Sequence, residues 1–185
     1  MKTFKVLLLE DMSDDFSDIE KIIGEISSEL AAHQVQLELL YNYDCSLKLI
    51  SNFVASETME TYLQKPFKDI VLKMAQQIKA EDSLICLLDI VWTKDAKEKL
   101  ARGEKYDEYG CTFYCVNLNE QRINKNTLIV SALTKKPSKM QSMRLIPKVN
   151  KKVPFGEEFK KKLKTAICAL PIVNITEPAE PKIDV

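Results

Sequence analysis

Five polar residues stand where apolar runs of the sequence come to an end. Glu10 and Asp11 close "KVLLLED", Asp89 follows "LICLL", Ser131 lies in "TLIVSAL", and Lys148 falls near the end of "MRLIPKV". A carboxylate at the edge of an apolar segment is costly to bury alone. Each acid therefore needs a partner, a proton, a cation or an exposed strand tip. If the first and third runs are neighbouring strands, Glu10, Asp11 and Asp89 converge on one crevice. Two such charges about 4 Å apart repel by roughly 4 kcal/mol at an effective dielectric near 20, enough to raise a pKa or recruit a cation. Hard carboxylate oxygens with positions open to water and phosphate suit Mg²⁺. Ser131 can offer a hydroxyl to an oxyanion, and Lys148 a positive charge. A carboxylate nucleophile, a divalent ion, a hydroxyl and an ammonium form a workable set for phosphoryl transfer to an aspartate.

The flanking pattern supplies the elements that must position these groups. Residues 5 to 9 are apolar without alternation, as in a strand buried on both faces. Ser13 is the expected N-cap of a helix, with Asp14 and Asp15 in its first turn. Phe16, Ile19, Ile22, Ile23, Ile26 and Leu30 follow at helical spacing. "VQLEL", 35 to 39, alternates and reads as a second strand nearer an edge. Residues 45 to 80 are mostly helical in pattern, and Pro66 is expected to start a new helix with Phe67, Ile70, Val71, Met74 and Ile78 on one face. "LICLLDIV" is the third strand, residues 127 to 133 the fourth, and residues 143 to 149 a weaker fifth. Phe155, Phe159, Leu163, Ala166, Ile167 and Leu170 line a last helix. Strands alternating with helices imply an α/β fold: a mainly parallel sheet, right-handed crossovers and helices on both faces. In such a sheet ligands bind at the carboxyl ends of the strands, where the five polar residues lie.

Composition is that of an ordinary globular protein: 185 residues, 45% hydrophobic, 29% charged, with 27 basic residues against 27 acidic ones. That length suits one domain. Only 4 glycines argue against a Gly-rich nucleotide loop or an all-β fold of many tight turns. No apolar run approaches the roughly 18 residues of a membrane span. The opening segment has a short apolar run that ends in two acids, unlike an export signal. Cys45, Cys86, Cys111, Cys115 and Cys168 form no CxxC pair and are expected to be reduced cytosolic thiols. Cys111 and Cys115 share one helical face at i, i+4, which favours packing over zinc because the only histidine, His33, is distant in sequence.

"KVLLLEDMSDDFSDIEKII", "LICLLDIVW", "TLIVSAL" and "LIPK…PFGEEFKKKLKTAI" together resemble the successive blocks of a receiver domain from a two-component response regulator. The resemblance covers residues 4 to about 170 of a domain expected over 1–170, with expansions at 45–82 and 92–109; residues 171–185, with three prolines, are expected to be an extended or disordered tail. It implies a flavodoxin-like, doubly wound, five-stranded parallel sheet in the order 2-1-3-4-5 with helical expansions. It implies a stand-alone response regulator that accepts a phosphoryl group on Asp89 in a phosphorelay. Mg²⁺ would be held by Glu10, Asp11, Asp89 and the backbone carbonyl of Val91, with Ser131 and Lys148 binding phosphoryl oxygens. It implies no enzyme beyond slow self-phosphorylation and self-dephosphorylation, and a cytoplasmic location. The implied partners are a sensor histidine kinase or phosphotransfer protein and a downstream protein target. A homodimer through the face of strand four, strand five and the last helix is one form the switched contact can take. No membrane is implied, and no aromatic platform or recognition motif speaks for nucleic acid.

The chain also departs from the family pattern. Lys148 is followed by Val149 where the family has proline, and Lys152, just before "VPF", is a rival for the lysine role. Leu145 stands where the family's switch aromatic is expected. Before Gly110 comes an insertion whose residues 93 to 108 carry ten charges, five of each sign; it is expected to be a solvated loop or short helix, or else a cover over the site or a kinase-docking surface. Trp92 is expected to pack. Residues 135 to 164 hold eleven Lys or Arg and two acids, a solvated basic face or a surface for an acidic partner. The departures motivate a second expectation, a receiver-shaped interaction module that signals without phosphate. A hydrolase with an aspartate nucleophile would usually carry another aspartate at position 91, where this chain has valine.

Overall fold

A computed structural model describes residues 1–54, 84–113, 123–133, 135–148 and 155–175. The apolar runs form five parallel strands: β1 (Lys2–Leu9), β2 (Val35–Leu39), β3 (Leu84–Leu88), β4 (Thr127–Ser131) and β5 (Arg144–Pro147). Their order in the sheet is β2-β1-β3-β4-β5, a flavodoxin-like α/β arrangement. Every residue of β3 and β4 is buried, as central strands covered on both faces require, whereas β2 and β5 at the two edges are only partly buried. Pro147, which lacks an N–H for the ladder, is tolerated because β5 is an edge strand.

Five α-helices lie among the described residues: α1 (Ser13–Leu30), α2 (Tyr43–Val54), α3 (Lys94–Ala101), α4 (Tyr109–Phe113) and α5 (Glu157–Cys168). The two-residue period of the strands divides the core. Phe4, Val6, Leu8, Ile85, Leu87, Leu128 and Val130 pack on one face against apolar residues of α1 and α5. Leu7, Leu9, Cys86, Leu88 and Ile129 pack on the other with Leu49 and Ile50 of α2, Trp92 and Met140. Trp92 is fully buried, so the only tryptophan is a core residue.

Several boundaries differ from the sequence expectation, and the differences bear on the site. β1 begins at Lys2, pairing with Val35, three residues earlier than its apolar run. β3 stops at Leu88 and β4 at Ser131, so Asp89 lies just beyond its strand, although its N–H still donates to Leu9 O at 3.0 Å. Lys148 is likewise the first residue past β5, with its N–H on Ser131 O at 2.9 Å. Ser13 is not the N-cap: α1 starts at Ser13, Met12 occupies the cap, and no side chain caps it. The Met12 N–H instead donates to Glu10 Oε1 at 3.0 Å, which turns the acidic loop inward. The chain expected to become an extended tail at 171 makes one more turn, and Ile172, Val173 and Ile175 pack against the core. The helix expected at Pro66, Cys115, Lys152 and the last residues of the tail lie outside the described residues.

Candidate functional site

Adjacent strands bring the site together. β1 pairs with β3 at Leu9 and Leu88, so Glu10 and Asp89 are the next residues along neighbouring strands. β4 adjoins β3, and β5 adjoins β4 with Ser131 opposite Pro147, which places Ser131 and Lys148 at the same sheet edge.

Asp89 is 2% exposed and its carboxylate is held on both oxygens. Oδ1 accepts from Ser131 Oγ at 2.6 Å and from the N–H groups of Ile90 and Val91 at 2.7 and 3.3 Å. Oδ2 lies 3.1 Å from Lys148 Nζ and 4.0 Å from Lys97 Nζ. Lys148 Nζ also donates to Glu10 Oε2 and, at 3.0 Å, to Asp15 Oδ2. Burial works against the Lys148 ammonium, but the negative charges of Asp89, Glu10 and Asp15 outweigh it and hold the proton on. Glu10 is 1% exposed, and burial followed by the charge of Asp89 pushes its carboxyl up to about 8 against the opposing pull of Lys148.

Asp11 is the outermost of the three site acids. Its Oδ2 accepts from the Thr93 N–H at 3.0 Å and its Oδ1 from Lys97 Nζ at 2.6 Å, while its backbone carbonyl accepts from Tyr43 OH at 3.0 Å. One oxygen from each of Glu10, Asp11 and Asp89 lies within 4.8 Å of the other two. This buried acidic cluster can hold a metal ion. Its donor set is hard carboxylate oxygen, and four acids (Glu10, Asp11, Asp15, Asp89) face two ammonium groups (Lys97, Lys148), so the ionised set carries an excess of negative charge for a cation to balance. A cavity of about 490 Å³ opens beside it, with Asp89, Lys97 and Lys148 reaching in and Met12, Val91 and Leu100 forming apolar wall.

The structure thus gathers all five residues singled out in the sequence, and places Val91 in the cavity wall. It adds two that sequence reasoning left elsewhere. Asp15 had a role only in the first turn of α1, yet that turn points its carboxylate at Lys148. Lys97 lay in the charged insertion, read chiefly as a solvated face. The insertion forms α3 from Thr93, whose Oγ1 accepts from the Ala96 N–H at 3.2 Å, and Lys97 lies one turn in. Helical side chains lean towards the N-terminus, which aims Lys97 back at the strand ends; the N-cap threonine was the available signal. Leu145 is half-buried on β5 and packs against the core. Within the basic stretch, Lys160 pairs with Glu25, Glu29 and Glu157, and Lys164 with Glu29, so part of that charge binds α5 to α1.

No family model, curated protein or solved structure matches this chain. Its class is read from fold and site alone: a flavodoxin-like α/β domain with a buried acidic, cation-compatible cluster at the carboxyl edge of its sheet.

Proposed function

We propose that the chain is a receiver of the response-regulator type, a cytoplasmic phosphoacceptor in which Asp89 takes a phosphoryl group from a phosphohistidine of a sensor kinase or phosphotransfer protein. The observation that carries this reading is the bonding of one buried carboxylate. Asp89 is joined to a hydroxyl from β4 and an ammonium from beyond β5, beside two acids from the end of β1.

The lone pairs of Oδ1 are committed to Ser131, Ile90 and Val91, which leaves Oδ2 as the oxygen with capacity for phosphorus. A P–O bond forms at Oδ2 while the donor's P–N bond breaks. Its electron pair stays on the imidazole nitrogen, which then takes a proton. Lys148, already 3.1 Å from Oδ2, offsets charge on the arriving phosphoryl oxygens. Ser131 can exchange its bond to Oδ1 for one to a phosphoryl oxygen, and this exchange would bias β4 and β5 towards a new protein contact with a downstream target or a second copy. Glu10, Asp11, Asp89 and the Val91 carbonyl would hold Mg²⁺, which would supply positive charge to offset that on the phosphoryl oxygens.

Incubation with acetyl phosphate and Mg²⁺ tests the reading. The intact mass should rise by one phosphate, and Asp89→Asn should abolish the gain. A wild-type chain that never gains the mass overturns it.

Two observations favour a second reading, an interaction module that works without phosphate. Leu145 provides no switch aromatic, and Lys97 already sets a positive charge among the three acids. Trp92, buried beside Val91, reports on the choice. Beryllofluoride with Mg²⁺ should change its fluorescence in a phosphoacceptor and leave it unchanged in a phosphate-independent module.

A further inference from the structure

The ammonium of Lys97 stands 2.6 Å from Asp11 Oδ1, 3.9 Å from Glu10 Oε1 and 4.0 Å from Asp89 Oδ2. It therefore touches or approaches the same three carboxylates whose oxygens form the acidic cluster. We propose that Lys97 is a tethered occupant of the dication position, so that a divalent cation enters only as Lys97 withdraws and α3 leaves the strand ends. This rests on reading Glu10, Asp11 and Asp89 as a cation site.

The argument begins with direction. Of the lysines in α3, Lys94 is 91% exposed and pairs with Glu98, and Lys99 pairs with Asp95, both along the helix surface. Lys97 alone of the three turns off the helix towards the strand ends, with 24% of its side chain exposed. An ammonium at hydrogen-bond distance uses carboxylate lone pairs that Mg²⁺ would need at about 2.0–2.1 Å. A dication and the Lys97 ammonium among the same three carboxylates repel one another and compete for the Asp11 oxygen, so occupancy is an exchange.

The root of α3 is fastened to the same acid. Asp11 Oδ2 accepts from the Thr93 N–H at 3.0 Å, while Asp11 Oδ1 holds Lys97. Thr93 has φ +82°, a region that a β-branched residue rarely adopts and keeps only when its surroundings hold it there. Both fastenings depend on Asp11 facing α3. A dication that turns the Asp11 carboxylate inward removes both and allows Thr93 to relax. Leu100 and Ala101, which line the cavity beside Asp89, move away with the helix. Cation binding and α3 docking are then reciprocally linked: whatever holds α3 down weakens the cation, and the cation loosens α3.

Calorimetric titration of the full chain with Mn²⁺ tests this on the wild type, Lys97→Met and Lys97→Arg. Lys97→Met should bind Mn²⁺ about tenfold more tightly than wild type, within the usual range of such couplings, and Lys97→Arg, which keeps the charge, should not. Equal affinities for wild type and Lys97→Met overturn the role of Lys97 and leave the cation-site reading standing. Absence of Mn²⁺ binding by both, up to millimolar concentration, overturns the two together. The wild type alone supplies a measurement independent of whether a variant folds: saturating Mg²⁺ should speed amide hydrogen exchange across residues 94–101, and unchanged protection there overturns the proposal.

Discussion

Gly110 meets the backbone of Asp89 with no room for a side chain. A methyl group on its α-carbon would stand 2.2 Å from the Asp89 carbonyl oxygen and 2.7 Å from Ile90 Cα, and its N–H donates to Ile90 O at 3.0 Å. This contact seats α4 directly against the turn that carries the candidate phosphoacceptor. Gly110→Ala forces backbone against backbone, where no flexible side chain can yield. A loss of about 1–3 kcal/mol is expected, the usual scale of overpacking, seen as a lower urea midpoint with unchanged slope. An unchanged midpoint would mean that α4 can shift away at little cost.

Lys148 is the countercharge for two deeply buried acids. Lys148→Met leaves Glu10 and Asp89 without it, and removal of one partner from a buried ionic set costs about 3–5 kcal/mol. Urea unfolding in the absence of divalent cations should show a loss of that order. Adding Asp89→Asn to Lys148→Met should recover part of it, because the orphaned Asp89 charge disappears. If the double variant is no more stable than the single one, Asp89 is not the residue that suffers.

Ser131 is fully buried and its Oγ–H donates to Asp89 Oδ1. Ser131→Ala should cost about 1–3 kcal/mol through the lost charge-assisted bond. On the proposed mechanism it should also slow phosphorylation by acetyl phosphate by about a hundredfold, the scale for removal of one preorganised donor. A stability loss with an unaltered phosphorylation rate would confine Ser131 to a structural role.

Burial pushes the Cys86 thiol from its ordinary 9.0 up to about 12, while Cys45 is exposed. Iodoacetamide at neutral pH should label Cys45 and spare Cys86, as peptide mass spectrometry can read directly. The sign for stability follows from proton binding. Between 9 and 12 the unfolded thiol gives up its proton and the folded one keeps it. Its contribution to stability is therefore complete below pH 9 and lost as pH rises towards 12. Cys86→Ala should flatten that alkaline decline relative to wild type.

The parts of the site that were readable in the sequence share one property: each follows an apolar run. Burial on both faces keeps the end of β1 (residues 6–9), all of β3 and residues 128–130 of β4 apolar, so Glu10, Asp89 and Ser131 stand out where these runs stop. Lys148 was legible for the same reason, although β5 is shorter than its apolar pattern. Asp15 and Lys97 were hidden because charged residues on helices ordinarily face water, and only tertiary placement distinguishes these two from Asp14 or Lys94. The same limit hid the turn at 171–175: its apolar residues have no period, and they are fixed by packing against the core rather than by local pattern.

The ion pair between Glu10 and Lys148 joins positions 138 apart in the chain. A nascent polypeptide emerging from the ribosome would expose Glu10 and Asp89 long before the lysine that balances them. Until the fifth strand docks, the acids repel one another with only Lys97 to offset their charge. Charge balance at the strand ends would then arrive late in synthesis and serve as a certificate that the sheet is complete.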